Sequence, residues 1–197
     1  KYKDGLKKNK ANFASLTPIS FLERTATIFP TYTSIISENN KFTWKTTFVR
    51  SKLFASSLKK RKIKKGDTVS IIAPNTSAMY EAHFAIPMAG AVINTINIRQ
   101  DPKTISYILK HSDSKIVFVD TEFLPVVKKS FKIGKHKIPI IFIEDCEDFS
   151  NNIDGDQSYE SFLEEGSLDD SKFNLTVDDE WSPISLSYTS GTTGNPK

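Results

Sequence analysis

From Gly66 to Ile143 the chain alternates short, largely apolar runs with longer runs of helical pattern, and this rhythm constrains the fold more than any other feature. Residues 68–73 (TVSIIA), 91–94, 115–120 (KIVFVD) and 138–143 read as strands. Residues 76–88, 101–110 and 121–131 read as helices between them. A helix connecting two strands of one sheet carries the chain back to the starting edge, so such strands run parallel. Parallel sheets are covered on both faces, which explains strands that are apolar throughout. The expectation is an α/β fold, a layered and mostly parallel sheet with flanking helices, with 68–73, 115–120 and 138–143 in one sheet.

Local signals extend the reading upstream. Residues 1–14 form a polar, basic tail, and residues 15–197 form the folded portion. Thr17 followed by Pro18 is a helix start, with the hydroxyl as N-cap and the proline at the first helical position. Ile19, Leu22, Ala26 and Phe29 then recur at helical spacing, and Pro30 stops the pattern. Residues 34–37 and 41–44 are strand candidates around a hairpin at Glu38-Asn39-Asn40, and 46–62 reads as a helix with Val49, Leu53 and Phe54 on its apolar side. Near the end, 159–165 suggests a short helix. Residues 183–188 (PISLSY) alternate as a strand, with Ile184, Leu186 and Tyr188 on one face.

Composition excludes several classes. Hydrophobic residues make up 38% and charged residues 25%, a globular balance. The densest apolar stretch, 138–143, is far short of the roughly 18 residues of a membrane helix and contains a proline. Cys146 is the only cysteine, so no intrachain disulfide can form. One cysteine and three scattered histidines (His83, His111, His136) do not make a metal site. The chain starts at Lys1 and stops at Lys197, directly after a loop-like stretch, and the expectation is a piece of a longer protein.

Charge is uneven. The net charge is +4, yet residues 144–180 hold fourteen acidic side chains and one lysine, Lys172. That acidic stretch reads as a solvated surface insertion. The basic run Lys59, Lys60, Arg61, Lys62, Lys64 and Lys65 precedes the turn signal Gly66-Asp67. It reads as a helix end whose cations complement the dipole. It contains no aromatic side chain to stack on bases, so no nucleic-acid partner is expected.

One stretch carries chemistry. Residues 189–197 read TSGTTGNPK, with two glycines, four hydroxyl side chains and a lysine, directly after the 183–188 strand. Glycines let backbone N–H groups close on a ligand, and clustered N–H groups bind anions. Ser190, Thr192 and Thr193 add hydroxyl donors and Lys197 a positive charge. These are the parts of a phosphate-gripping loop. It is not a Walker A loop, because Asn195-Pro196 separates Gly194 from Lys197, and no GxGxxG fingerprint is present. On composition alone, a Gly/Thr linker explains it equally well.

The string YTSGTTGNPK, Tyr188 to Lys197, resembles the signature loop of the adenylate-forming superfamily. LTPISFLERTATIFP, FTWKTT, APNTSAMYEAHFAIPMAGAVINTINIR and KIVFVD resemble the N-terminal part of plant acyl-activating enzymes, carboxylate–CoA ligases of that superfamily. The resemblance covers roughly residues 16–197, least well in the acidic stretch. It implies an incomplete N-terminal, AMP-binding domain, truncated at the phosphate loop. In that family the loop grips the β- and γ-phosphates of ATP. The carry-over falls on Thr189, Ser190, Gly191, Thr192, Thr193, Gly194 and Lys197, with Lys197 in the catalytic role. The implied reaction joins a small-molecule carboxylic acid to AMP and then to coenzyme A, with magnesium accompanying ATP. Its implied setting is intracellular, cytoplasm or peroxisome. The sequence departs from the family pattern at Ser182, usually Asp, and at Gln100, usually Leu. The adenine, ribose and most acyl contacts and a mobile catalytic domain would all follow Lys197, so residues 1–197 alone are expected to be inactive. Three other readings are a related enzyme that passes the acyl group to a carrier protein or to oxygen, a non-catalytic phosphate- or nucleotide-binding module, and a nucleic-acid binder built on the basic run, which steep salt-dependent DNA binding would favour.

Among the remaining residues, His83 reads as packed in the core, and His111 and His136 as solvated. Asp113 and Asp120 read as caps beside a strand. Asn97 and Arg99 read as holding their loop in shape.

Overall fold

A computed structural model describes residues 4–5, 7–9, 11–37, 40–144, 157–169 and 179–189. Its centre is a five-stranded sheet in which every pair is parallel. The strands are β3 (Thr68–Ile72), β4 (Val92–Thr95), β5 (Ser114–Asp120), β6 (Ile140–Ile143) and β7 (Gln157–Ser158), in spatial order β4-β3-β5-β6-β7. The three strands expected to share a sheet do so, though β6 starts at Ile140, after the proline. A separate antiparallel hairpin joins β1 (Thr33–Ser37) to β2 (Asn40–Thr43).

The chain begins the sheet at β3, steps to β4 on one side, then crosses back to β5 on the other. Parallel crossovers keep one hand, so this reversal puts successive helices on opposite faces. Helix α3 (Ser77–Met88) packs on one face with α1 (Pro18–Ile28), α2 (Trp44–Lys60) and α6 (Tyr159–Glu164). Helices α4 (Pro102–His111) and α5 (Leu124–Gly134) cover the other. Side-chain alternation divides each strand between the two layers. Val69 and Ile71 of β3 and Ile116 and Phe118 of β5 join the first core, and Ile72, Val117 and Val119 the second.

The first core is aromatic at its middle. Phe54 meets Phe118 at 4.7 Å between ring centres, Tyr159 at 5.4 Å and Phe162 at 5.6 Å, all tilted or edge-on. Such geometry aligns ring edges with ring faces and adds to the gain from burying the rings.

Helix starts follow the sequence signals closely. Thr17, Thr43, Thr76 and Asp101 each accept backbone N–H bonds as N-caps of α1, α2, α3 and α4. Thr43 is where the reading differed: its cap makes Trp44 the first residue of α2 rather than the last of a strand. Helix α2 stops at Lys60. Lys62 then adopts a positive φ, and Gly66, at φ 84°, forms the turn into β3.

The acidic stretch differs most from expectation. Residues 157–169 are built into the first layer rather than solvated, with Tyr159, Phe162 and Leu163 buried. Arg61 of the basic run binds Glu165 through two nitrogens, at 2.8 and 3.2 Å. Arg50 grips both oxygens of Glu160. The two charged stretches are therefore partly partners, which a reading of each alone misses.

Candidate functional site

The described part of the predicted loop is its approach. Ser185 makes a single parallel bridge to Ile93 of β4. The Ile93 N–H donates to the Ile184 carbonyl at 3.0 Å, and the Leu186 N–H to the Ile93 carbonyl at 2.8 Å. The expected strand over 183–188 is thus reduced to one bridge at the β4 edge. Of the predicted site residues, Thr189 is exposed at the end of this approach. Ser190, Gly191, Thr192, Thr193, Gly194 and Lys197 lie outside the described residues.

Side chains take over where backbone pairing stops. Tyr188 packs against the second core, and its hydroxyl lies 2.7 Å from His111 Nδ1 at the last turn of α4. The two rings meet edge-on at 5.7 Å. Tyr107, one turn earlier on α4, stacks on His111 at 5.4 Å and 20°. Burial, and secondarily the nearby Tyr107, push the Tyr188 phenol above its ordinary pKa. The hydroxyl therefore stays protonated at neutral pH. A neutral phenol donates to a bare imidazole nitrogen and accepts from a protonated one, so the bond can form in either state.

The end of α4 is itself fixed from below. Ser112, its C-cap, bonds Ser114 of β5 at 2.6 Å; Ser114 bonds Ser70 of β3 at 2.6 Å; and the Asn94 amide of β4 donates to Ser70 at 2.8 Å. This buried ladder crosses three strands beside His111. Asn94 Oδ1 is buried without a hydrogen-bond partner among the described residues.

The strongest electrostatics lie on the other face. Arg50 Nε donates to Glu81 Oε1 at 2.6 Å, and the Tyr159 hydroxyl donates to Glu81 Oε2 at 2.6 Å. Burial pushes the Glu81 carboxyl up, against the pull of Arg50 and Tyr159. Burial would lower the Arg50 guanidinium, but its bonds to Glu160 and Glu81 more than reverse that. Burial also raises Tyr159. Both Glu81 oxygens are engaged, one by the Arg50 guanidinium and one by the Tyr159 hydroxyl, which ties this carboxyl into the packing of the first layer.

Two clefts remain. One of about 300 Å³ lies between the start of α1, the end of α3 and the approach segment, and is bounded by Lys59, Lys65, Glu180 and Pro183. Another, about 340 Å³, separates β1 from the start of α3 and is bordered by Asn75, Thr76 and His83. Neither contains a predicted site residue. His83 is exposed rather than packed, with Nδ1 2.8 Å from the Met79 carbonyl, because its helix turns this position away from the core. His136 is half-buried, not solvated, and bonds Ser106. Asp120 caps the short 3₁₀ turn Thr121–Phe123 as expected, whereas Asp113 is no cap but sits at positive φ and pairs with Lys115. Asn97 accepts the Arg99 N–H and so shapes its loop. Among the described residues no group of three or more His, Cys, Asp or Glu is placed to hold a metal ion. No described helix is long and apolar enough to cross a membrane.

The described residues define a parallel, doubly wound α/β sheet, and the TSGTTGNPK string follows in sequence the segment bridged to its β4 edge. The chain belongs to the AMP-binding enzyme family, which matches residues 22–197. It is 44% identical over 207 residues to the acetate–CoA ligase CCL3 of Humulus lupulus, covering 98% of this chain and 36% of that protein. It is equally 44% identical over 208 residues to the peroxisomal trans-cinnamate:CoA ligase of Petunia hybrida, with 98% and 36% covered. Its fold matches the crystal structure of the anthranilate CoA ligase AuaEII in complex with anthranoyl-AMP. The TM-score is 0.75 at 21% identity, over 96% of this chain and 35% of that one. The chain therefore spans about a third of the length of the curated relatives it matches.

Proposed function

We propose that the complete protein is an ATP-dependent acid–CoA ligase. The observation that carries this reading is the TSGTTGNPK string, Thr189 to Lys197, in a chain of the AMP-binding enzyme family with 44% identity to plant acid–CoA ligases. A carboxylate oxygen attacks the α-phosphorus of ATP, the bond to pyrophosphate breaks, and an acyl-adenylate forms. The thiol of coenzyme A, losing its proton, then attacks the acyl carbonyl and AMP leaves. Activation is needed because a carboxylate is a poor electrophile with an impossible leaving group.

In this scheme Thr189, Ser190, Gly191, Thr192, Thr193, Gly194 and Lys197 hold the β- and γ-phosphates, and Lys197 stabilises the charge growing on pyrophosphate. Magnesium, if carried on the nucleotide, adds positive charge at those phosphates; no step here is routed through it. Acceptors other than coenzyme A are disfavoured because the similar named proteins are CoA ligases. The peroxisome or cytoplasm is the proposed setting, supported by the peroxisomal relative and tested by imaging the complete protein.

The test separates the half-reactions. In the complete protein Lys197→Ala is expected to slow adenylation about 100- to 1000-fold, the usual effect of losing one charge-stabilising donor. Thioester formation from supplied acyl-adenylate should change far less, because pyrophosphate leaves only in the first step. Thr193→Ala should cost less than Lys197→Ala, a neutral hydroxyl being the weaker partner. Residues 1–197 alone should show no carboxylate-dependent pyrophosphate–ATP exchange. Equal slowing of both half-reactions in Lys197→Ala would count against the assignment.

A further inference from the structure

Charge is paired on one side of the sheet and largely unpaired on the other. Where α1, α2 and α6 pack, Arg50 meets Glu81 and Glu160, and Arg61 meets Glu165. Helices α4 and α5 and the connection from α5 to β6 contain no Asp or Glu, yet carry seven lysines. Lys103 and Lys110 stand two turns apart on α4, both exposed, with Tyr107 between them. At about 100° per residue, Lys128, Lys129, Lys132 and Ile133 share an arc of about 140° on α5, opposite the buried Leu124, Val127 and Ser130. Lys135 and Lys137 continue the run, both exposed. The two helices are neighbours on one face of the sheet, tied by the bond of Ser106 to His136, just past α5, at 3.1 Å.

None of the seven lysines pairs with a carboxylate among the described residues. Of the acids that flank these helices, Asp101 caps α4, Asp120 caps the turn before α5 and Asp113 pairs with Lys115, and Glu122 stands before α5. The face therefore keeps a large positive excess. Like charges crowded on adjacent helices repel, and a partner of opposite charge relieves that repulsion. Several features choose the partner. The cations are all lysines, whose flexible point charges suit a diffuse array of headgroups, whereas arginine forks suit fixed phosphates. Ile133 is 53% exposed in their midst. An apolar side chain gains by entering the boundary between headgroups and acyl chains, and gains nothing on a nucleic-acid backbone. Tyr107, the aromatic ring between the α4 lysines, is already stacked on His111 rather than open to a base. Neither cleft takes a lining residue from α4 or α5, so this face offers a surface and not a pocket.

We propose that the α4–α5 face is a peripheral docking surface for an anionic lipid bilayer: its lysines meet the headgroups and Ile133 enters the acyl boundary. The proposal is independent of the ligase reading, because it uses neither the 189–197 string nor any step of that reaction.

The test sediments the complete protein with vesicles of phosphatidylcholine alone and of phosphatidylcholine mixed with phosphatidylserine. Binding should appear only with phosphatidylserine and weaken steeply as salt is raised. A lysine near an anionic surface is worth about fivefold in affinity, so Lys128→Gln with Lys129→Gln and Lys132→Gln should lose on the order of 100-fold. Ile133→Ser should lose about three- to tenfold, with little dependence on salt. A control removes equal charge from exposed lysines elsewhere, Lys41→Gln with Lys45→Gln and Lys64→Gln, and should lose far less. In the unaltered protein, hydrogen exchange of 124–137 should slow when phosphatidylserine vesicles are added and not when phosphatidylcholine vesicles are. Absence of binding to phosphatidylserine vesicles, unchanged exchange at 124–137, or equal loss in the control triple would overturn the docking surface. Tighter binding to duplex DNA than to the vesicles, lost with the α5 lysines, would overturn the bilayer as its partner and assign the face to nucleic acid.

Discussion

On the face covered by α1, α2, α3 and α6, the sheet meets stacked aromatic rings and a buried Arg50–Glu81–Tyr159 cluster. On the face covered by α4 and α5, it meets smaller aliphatic side chains, a ladder of serines and, at the rim, Tyr188, the residue before Thr189. The first layer joins distant parts of the chain: Glu160, Tyr159 and Phe162 return across more than a hundred residues to Arg50 and Phe54. The second layer is assembled from neighbours in sequence, apart from Tyr188. Long-range aromatic packing makes the first face the stabilising one. The more local second face meets, at its rim, the segment that leads to Thr189.

Four outcomes would break or sharpen that contrast. The largest effect is expected at Phe54, fully buried at the centre of the aromatic group. Phe54→Ala should destabilise by about 3–5 kcal/mol in denaturant unfolding, through lost burial and the cavity left behind. A loss near 1 kcal/mol would show that the first face does not dominate stability.

Removing one member of the buried ion pair comes next. Glu81→Gln should cost about 1–3 kcal/mol, because Arg50 loses one of its two carboxylate partners and keeps Glu160. Replacing the whole cluster, Arg50→Met with Glu81→Leu and Tyr159→Phe, should recover much of that loss in the same unfolding measurement, since a well-packed apolar group leaves no charge or hydroxyl without a partner.

On the second face, Asp101 caps α4, bonding the Thr104 hydroxyl and the N–H groups of Lys103 and Thr104. The Thr104 hydroxyl, followed by its backbone N–H, holds the Asp101 carboxyl below its usual pKa. An acid lowered in the folded state contributes stability above its unfolded pKa and loses it as pH falls through the folded value. Asp101→Ala should therefore cost about 0.5–2 kcal/mol at pH 7 and progressively less below about pH 4. Asp101→Asn should keep the cap and lose the pH dependence, which melting curves across that range would reveal. The smallest effect belongs to Ser51, whose hydroxyl is buried without a hydrogen-bond partner among the described residues. Ser51→Ala should change stability by less than about 0.5 kcal/mol, or raise it slightly, because no bond is lost.

How far these features could be read in advance follows from the range of the forces involved. The N-caps Thr17 and Asp101 and the Gly66-Asp67 turn act within a few residues, and all are found where the sequence places them. The strands β3, β5 and β6 announce themselves by apolar runs, because burial on both faces leaves no polar alternation. Trp44 was misread because β2 runs into α2 without a break, and only the Thr43 cap separates them. The acidic stretch was misread because charge density describes a side chain's surroundings only when its partners are known. Glu160 and Glu165 find theirs in Arg50 and Arg61, about a hundred positions away.

The sequence by itself determined a layered, mostly parallel α/β architecture and the helix starts at Thr17 and Asp101. Those properties rest on local backbone preferences, burial periodicity and residue chemistry, all of which are written along the chain. The tertiary structure alone decided that 157–169 closes the aromatic layer, that Glu81 is held between Arg50 and Tyr159, and that His111 meets the Tyr188 hydroxyl. Each of those depends on side chains brought together by the sheet from distant positions. At that range hydrogen-bond geometry and desolvation, which carry no periodicity in sequence, choose the partners.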